Sequence, residues 1–336
     1  MLSLKERIVK HFTRVTSNQP LMMGIEHEFF LLTTDQMPVT HKQSQLFLKA
    51  LSKFGNLNFA QDPNLGSYIE SVANHSANTI KYDHHSFLFE IATAPSTELA
   101  VQQNFLNMAI DAISEAAQML NLEISFDPFL PISTDREETK SELQFRKNLI
   151  DYRRKLFQIR NQPIDEALIN YAAGIISTQV HIGGVPFEQY DSIFPELYRR
   201  EHEVIEWANK TVISKQYANA KIMEKREQVY RSTFLNSPLV GFPAFEWTKE
   251  NWLDALMKTP LYGSSSEYFS AYTLEDFPEL DAMDEMDFLY RVRDLQWIKP
   301  HRQGTIEFRS TPAMPNVDSI MELCQMRLDT VKELMK

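Results

Sequence analysis

Apolar and polar residues alternate strictly in four short stretches of this chain. In Gly24-Ile25-Glu26-His27-Glu28-Phe29, Glu26 and Glu28 share one side of a strand while Ile25, His27 and Phe29 take the other, because successive side chains on a β-strand point to opposite faces. The same parity sets Glu90 against Phe89 and Ile91, and Gln179 and His181 against Val180 and Ile182. It also sets Thr305, Glu307 and Arg309 against Ile306 and Phe308. The first stretch continues into Phe30-Leu31-Leu32 and is apolar at both ends, which predicts a central strand with a polar face that is hard to expose. Collected on one sheet surface, Glu26, Glu28, Glu90 and Glu307 would repel by roughly 4 kcal/mol per contacting pair at an effective dielectric near 20. The pattern therefore predicts a cationic occupant.

Elsewhere the period is helical. Between Val101 and Leu122, Phe105, Ala109, Ile113, Ala116, Ala117 and Leu120 recur at spacings of three and four, a helix with one broad apolar face. A strand over Leu122–Phe126 follows and stops at Asp127-Pro128. A charged, partly helical stretch spans Thr134 to Asn161, and a long helical pattern runs from Tyr190 to Ala220. Asn236 to Thr273 reads as extended loops around a short helix at Trp252–Met257, and Glu275 to Asp287 as an acidic exposed segment. The last helix starts at Asp318, with Asn316 or Asp318 as N-cap. Strands and helices mix without regular alternation, which predicts an α+β fold with a largely antiparallel sheet. No linker or repeat interrupts the 336 residues, so a single domain over 1–336 is expected.

Charge and composition narrow the partners. A net charge of −11 argues against a general nucleic-acid or anionic-membrane binder, without excluding an anionic small substrate beside metal ions and arginines. The one cysteine, Cys324, precludes an intramolecular disulfide and a multi-cysteine metal cluster, and a reducing compartment is the natural reading. Met1 to Phe12 carries charges at helical spacing and lacks the apolar stretch of a signal peptide. A cytosolic location is expected.

Hard oxygen ligands such as Glu26, Glu28, Glu90 and Glu307 select Mg²⁺ or Mn²⁺, which complete their shells with substrate phosphates. A lone strand histidine such as His181 is more often a satisfied core residue. Here Gly183-Gly184 beside it reads as room for the backbone to turn close to a ligand. The other histidines show no metal-site spacing. Arg309 fits two readings equally, an ion pair to Glu307 or a fork for phosphate or carboxylate. No Walker A loop, dinucleotide fingerprint or serine-hydrolase elbow is present, and Cys324 reads as packing.

Four motifs in order suggest a family. Met23-Gly24-Ile25-Glu26-His27-Glu28, Phe89-Glu90-Ile91-Ala92-Thr93-Ala94-Pro95, Thr178-Gln179-Val180-His181-Ile182-Gly183, and Asp294–Pro300 running into Gly304–Arg309 together resemble the glutamate-cysteine ligases, most closely the bacterial carboxylate-amine ligases called glutamate-cysteine ligase type 2. The resemblance implies a glutamine-synthetase-like catalytic fold, a curved, largely antiparallel sheet with helices on its outer face and ATP and metal ions on its concave one. It implies metal ligation by Glu26, Glu28, Glu90, His181 and Glu307, with Asp83, seven residues before Glu90, as a further acidic ligand. It places Arg309, with Gln179 beside it, on the transferred phosphate, and Arg231 on a substrate carboxylate. In place of the family's Ser-Pro element before that arginine, the chain reads Lys215-Gln216-Tyr217-Ala218-Asn219-Ala220. The activity implied is ATP-dependent amide formation with Mg²⁺ or Mn²⁺, joining glutamate to cysteine or another amine as in glutathione biosynthesis. The partners are then small molecules, not nucleic acid or membrane, and a homo-oligomer is compatible. Another metal-dependent phosphotransferase on this scaffold, or a binding homologue without turnover, are the alternatives.

Overall fold

The computed structural model describes residues 3–16, 19–54, 57–62, 66–73, 76–83, 85–130, 144–165, 169, 174–214, 222–234, 237–259, 292 and 294–336. Helix α1 (Leu4–Thr16) leads into β1 (Met22–Thr33), α2 (His41–Leu51), β2 (Leu57–Asp62), β3 (Gly66–Ala73), β4 (Ser76–Tyr82) and β5 (Leu88–Ala92). There follow α3 (Leu99–Met119), β6 (Leu122–Ser125), α4 (Gln144–Ile159), β7 (Thr178–Gly183), α5 (Tyr190–Thr211) and α6 (Ile222–Thr233). The chain closes with β8 (Val240–Gly241), α7 (Lys249–Lys258), β9 (Leu295–Gln296), β10 (Ile298–His301), β11 (Thr305–Phe308) and α8 (Val317–Leu334).

Nine of these strands make one antiparallel sheet in the order β10-β11-β7-β1-β5-β4-β3-β2, with β6 paired to the far half of β1. The α+β architecture and antiparallel sheet match the sequence pattern, and β1 is central, lying between β7 and β5. Its Ile25 and Phe29 join Phe89, Ile91, Val180, Ile182, Ile306 and Phe308 in one core with Leu106, Ile113, Ile320 and Leu323 of α3 and α8. Each such side chain contributes about 1.5–3 kcal/mol on burial. A one-residue slip of register would turn the carboxylates into this core, so the apolar face fixes where the polar one lies.

Local chemistry sets the helix ends. α3 stops at Met119, short of the predicted Leu122, because Asn121 turns into the left-handed region with φ of 52° and starts β6. α5 ends at Thr211, before the predicted Ala220. α8 is capped by Asn316, whose Oδ1 accepts from the Ser319 amide at 2.9 Å. One expectation is corrected. Gly184 has a φ of +87°, and a Cβ there would meet the Pro20 carbonyl oxygen at 2.3 Å, so the close approach it permits is to the chain itself, not to a ligand. The segments at 215–220, 260–273 and 275–287 lie outside the described residues. No described helix is long and apolar enough to cross a membrane.

Candidate active site

The register of the sheet brings the predicted residues of four strands onto one face. Glu28 of β1 and Glu90 of β5 are direct partners across the ladder. Both are 6% exposed. Glu28 is held by Ser177, whose backbone N–H and hydroxyl donate to its Oε2 at 2.6 and 2.9 Å. Burial, with Asp83 and Glu90 nearby, pushes the Glu28 carboxyl up to about 8. Burial and the charge of Glu26 push Glu90 up to about 7. Two carboxyls that resist ionising together are what like charges in a shared buried site produce.

On the other side of β1, His181 of β7 lies opposite Glu307 of β11. Its Nε2 is 3.5 Å from Glu26 Oε1, and its Nδ1 is 3.2 Å from the Thr305 hydroxyl. Burial disfavours the imidazolium, but Glu26 and Glu307 outweigh it and raise the histidine's pKa. Burial likewise disfavours charge on Glu26, yet His181 holds that carboxyl below its ordinary value. Glu307 is 2% exposed. Despite burial, Lys299, Arg309 and His181 hold it well below the ordinary carboxylate range.

The face carries its own cations, which the alternation of single strands did not reveal. Lys81 of β4 pairs with Glu90 at 2.9 Å, and Lys299 of β10 pairs with Glu307 at 3.2 Å. Arg309 bonds to Glu307 through Nη1 and donates from the same nitrogen to Gln179 Oε1 at 2.6 Å. Arg226 of α6, 1% exposed, opposes the charge of Glu28 and donates to the carbonyls of Arg309 and Thr311 at 2.7 and 3.1 Å. The inference that repulsion demands an added cation is thereby corrected, because Lys81, Lys299, Arg309 and Arg226 offset most of the negative charge of Glu26, Glu28, Asp83, Glu90 and Glu307. The signal for Lys81 and Lys299 is cross-strand register. Lys81 faces Glu90 and Lys299 faces Glu307 as Cα partners.

Both readings of Arg309 bear on the same side chain. The ion pair to Glu307 is present, and among the described residues no acceptor meets its Nε or Nη2. Gln179 joins the two halves of the face, since its Nε2 donates to Glu28 Oε1 at 3.3 Å. Among the described residues no bond brings Arg231 to this face. Its Nε donates to Glu227 at 2.7 Å and its Nη2 to the Phe242 carbonyl at 2.8 Å. Five positions on a helix turn a side chain by about 140°, so when Arg226 points at the sheet, Arg231 points away. Cys324 is fully buried, with burial pushing its thiol up to about 12.

The donors fit a hard divalent ion. Glu28 and Glu90 lie adjacent and keep raised pKa values even beside Lys81 and Arg226, and among the described residues Glu307 Oε2 and His181 Nε2 are buried with only their ion-pair contacts to Lys299 and Glu26. Oxygen-rich sites with one imidazole suit Mg²⁺ or Mn²⁺.

No family model matches the chain, and no curated protein matches it. Among solved structures it is similar to GmaS without ligand, at 11% identity and a TM-score of 0.39, over 99% of this chain and 59% of that one. It is similar to the GmaS complex with ADP at 10% identity and a TM-score of 0.39, over 99% of this chain and 60% of that one. The chain thus spans less than two thirds of the length of these structures. A likeness of this degree decides nothing about activity, and the functional reading rests on the sheet face.

Proposed function

We propose that the chain is an ATP-dependent carboxylate–amine ligase of the glutamine-synthetase-like kind, joining the γ-carboxyl of glutamate to the amino group of cysteine or another amine. One observation carries the reading. Glu26, Glu28, Glu90, His181 and Glu307 share a sheet face with Arg309, whose guanidinium keeps donors for a further acceptor. The four ordered sequence motifs agree with it.

Glu26, Glu28, Asp83, Glu90, His181 and Glu307 would hold Mg²⁺ or Mn²⁺, which when bound neutralises polyphosphate charge. The residues of the chain position and stabilise charge. Gln179 and Glu307 fix Arg309 by Nη1, so its Nε–Nη2 edge presents two parallel donors to the transferred phosphoryl group. Arg226 anchors the backbone of Arg309 from behind. The substrate carboxylate attacks the γ-phosphorus and releases ADP. The amine then attacks the acyl carbon and expels phosphate, and no protein nucleophile is required. Arg231, which lies off this face, would hold the acid's α-carboxylate and not its reacting γ-carboxyl, through Nη1, its other nitrogens being engaged.

A second reading, a homologue that binds nucleotide without turnover, is favoured by the chain's own lysines pairing with Glu90 and Glu307. Phosphate release with ATP and Mg²⁺ or Mn²⁺, measured over a matrix of acids and amines, separates the readings. A ligase releases phosphate when both acid and amine are present. Release that needs no amine indicates another phosphotransferase. Nucleotide binding without release indicates the binding homologue.

A further inference from the structure

His301 belongs to none of the roles above, although it stands beside them. It lies on β10, two residues after Lys299 and therefore on the same side of that strand, and its Cα partner is Thr305. Its ring meets that of His181 edge-on, with centroids 5.1 Å apart. A ligand atom of His301, one of His181 and one of Glu307 all lie within 4.8 Å of one another.

Three ligands each about 2.1 Å from one ion and equally spaced around it stand at most about 3.6 Å apart. Side-chain shifts of up to about 0.7 Å therefore close the three onto a common ion. Among the described residues, two of the three already carry a buried atom that makes no well-aligned hydrogen bond, His181 Nε2, 3.5 Å from Glu26 Oε1, and Glu307 Oε2. The His181 ring is oriented through Nδ1 by the Thr305 hydroxyl, the outer contact that leaves Nε2 as the ligating nitrogen. Lys299 is the competitor, 3.2 Å from Glu307 Oε2. Its ammonium also donates to the Asp294 carbonyl at 3.0 Å, so it keeps a partner when an ion takes its place at Glu307.

We propose that His301 completes a three-ligand site with His181 and Glu307, and that this site takes a first-row transition ion of the Zn²⁺ or Mn²⁺ class in preference to Mg²⁺. A second imidazole decides the class. Imidazole suits Zn²⁺ best, and Mn²⁺, although it favours oxygen, accepts a mixed nitrogen and oxygen set, whereas Mg²⁺ demands oxygen and sheds its water reluctantly. The inference rests on the ligase reading for the purpose of the ion, not for its binding, and it makes His301 the residue that sets metal preference on this face.

The test is calorimetric titration of the metal-stripped full chain with Zn²⁺, Mn²⁺ and Mg²⁺, without nucleotide, for the wild type and for His301→Gln. The wild type should bind Zn²⁺ and Mn²⁺ at least about tenfold tighter than Mg²⁺. The glutamine variant should lose on the order of tenfold to a hundredfold for the transition ions and little for Mg²⁺. Histidine ¹⁵N shifts of the unmutated protein on adding Zn²⁺ give a readout independent of how the variant folds, with both ring systems expected to move. Preference for Mg²⁺ in the wild type, an equal loss of all three ions in the variant, or a response confined to His181 would overturn the proposal. Because no turnover is measured, a protein that binds as expected but ligates nothing refutes the ligase reading alone.

Discussion

Gln179 accepts a hydrogen bond from Arg309 at 2.6 Å, and the same side chain donates to Glu28 at 3.3 Å. The amide thus ties the arginine that follows β11 to the carboxylate on β1 across the intervening strand. Among the described residues Arg309 is held at one side-chain nitrogen, so its position is fixed while its remaining donors stay available.

Arg309→Lys should therefore keep the charge beside Glu307 and lose the fork. Turnover is expected to fall by well over tenfold, with a melting temperature close to that of the wild type. Steady-state rates and thermal melts of the purified variant check this, and near-normal turnover would leave Arg309 as a structural partner of Glu307.

Glu307→Gln should destabilise the metal-free protein. Glu307 is buried between Lys299 and Arg309, and removing one member of a buried ion pair costs about 3–5 kcal/mol because it strands the other charge. Denaturant unfolding in chelator measures the loss. A variant at least as stable as the wild type would mean that repulsion from Glu26 dominates over these pairs.

Carboxylate repulsion alone, as the strand pattern suggests it, would give the opposite sign, and the difference shows where the sequence stopped being informative. Alternation within single strands placed Glu26, Glu28, Glu90, Gln179, His181, Glu307 and Arg309 on one face, because burial of Ile25, Phe89, Val180 and Ile306 leaves no other choice. Which cation stands opposite which carboxylate depends on pairing between strands distant in sequence, as between Lys81 and Glu90 or Lys299 and Glu307. His301 was passed over for the same reason, since its neighbour His181 is on another strand. Arg226 carried no signal in the sequence, because helical phase relative to the sheet is a tertiary property. The helix over Leu99–Met119 was legible from its period, and its end was not, because it turns on the backbone of Asn121.

The metal-free protein should lose stability as pH rises from about 4.5 to about 8. Glu28 and Glu90 have folded-state pKa values raised to about 8 and about 7, above the ordinary value of 4.5. Their contribution is full below the unfolded value and is lost as pH rises through the folded ones, at up to about 1.4 kcal/mol per pH unit for each carboxyl. Melts in chelator across this range should show the decline, and Glu28→Gln should flatten it. A stability that is level or rises with pH would show that neither carboxyl is held protonated.

His27 should produce the opposite limb. It is fully buried, and burial depresses its pKa to about 3. Its contribution is present above the unfolded value near 6.5 and is lost as pH falls from there toward 3. Acid unfolding of His27→Gln checks this, since the variant should have a shallower acid limb at the cost of lower stability at neutral pH. An unchanged acid limb would exclude His27 as its source.

In the ligase reaction a carboxylate is activated as an acyl phosphate on this face. Glutamate labelled with ¹⁸O in its γ-carboxyl, incubated with the protein, ATP, divalent metal and cysteine or another amine, tests it directly, because an acyl phosphate carries one carboxyl oxygen onto the phosphate it releases. The account predicts one ¹⁸O in the inorganic phosphate for each amide formed, read by mass spectrometry. Amide formation with unlabelled phosphate, or no amide with any amine supplied, would contradict it.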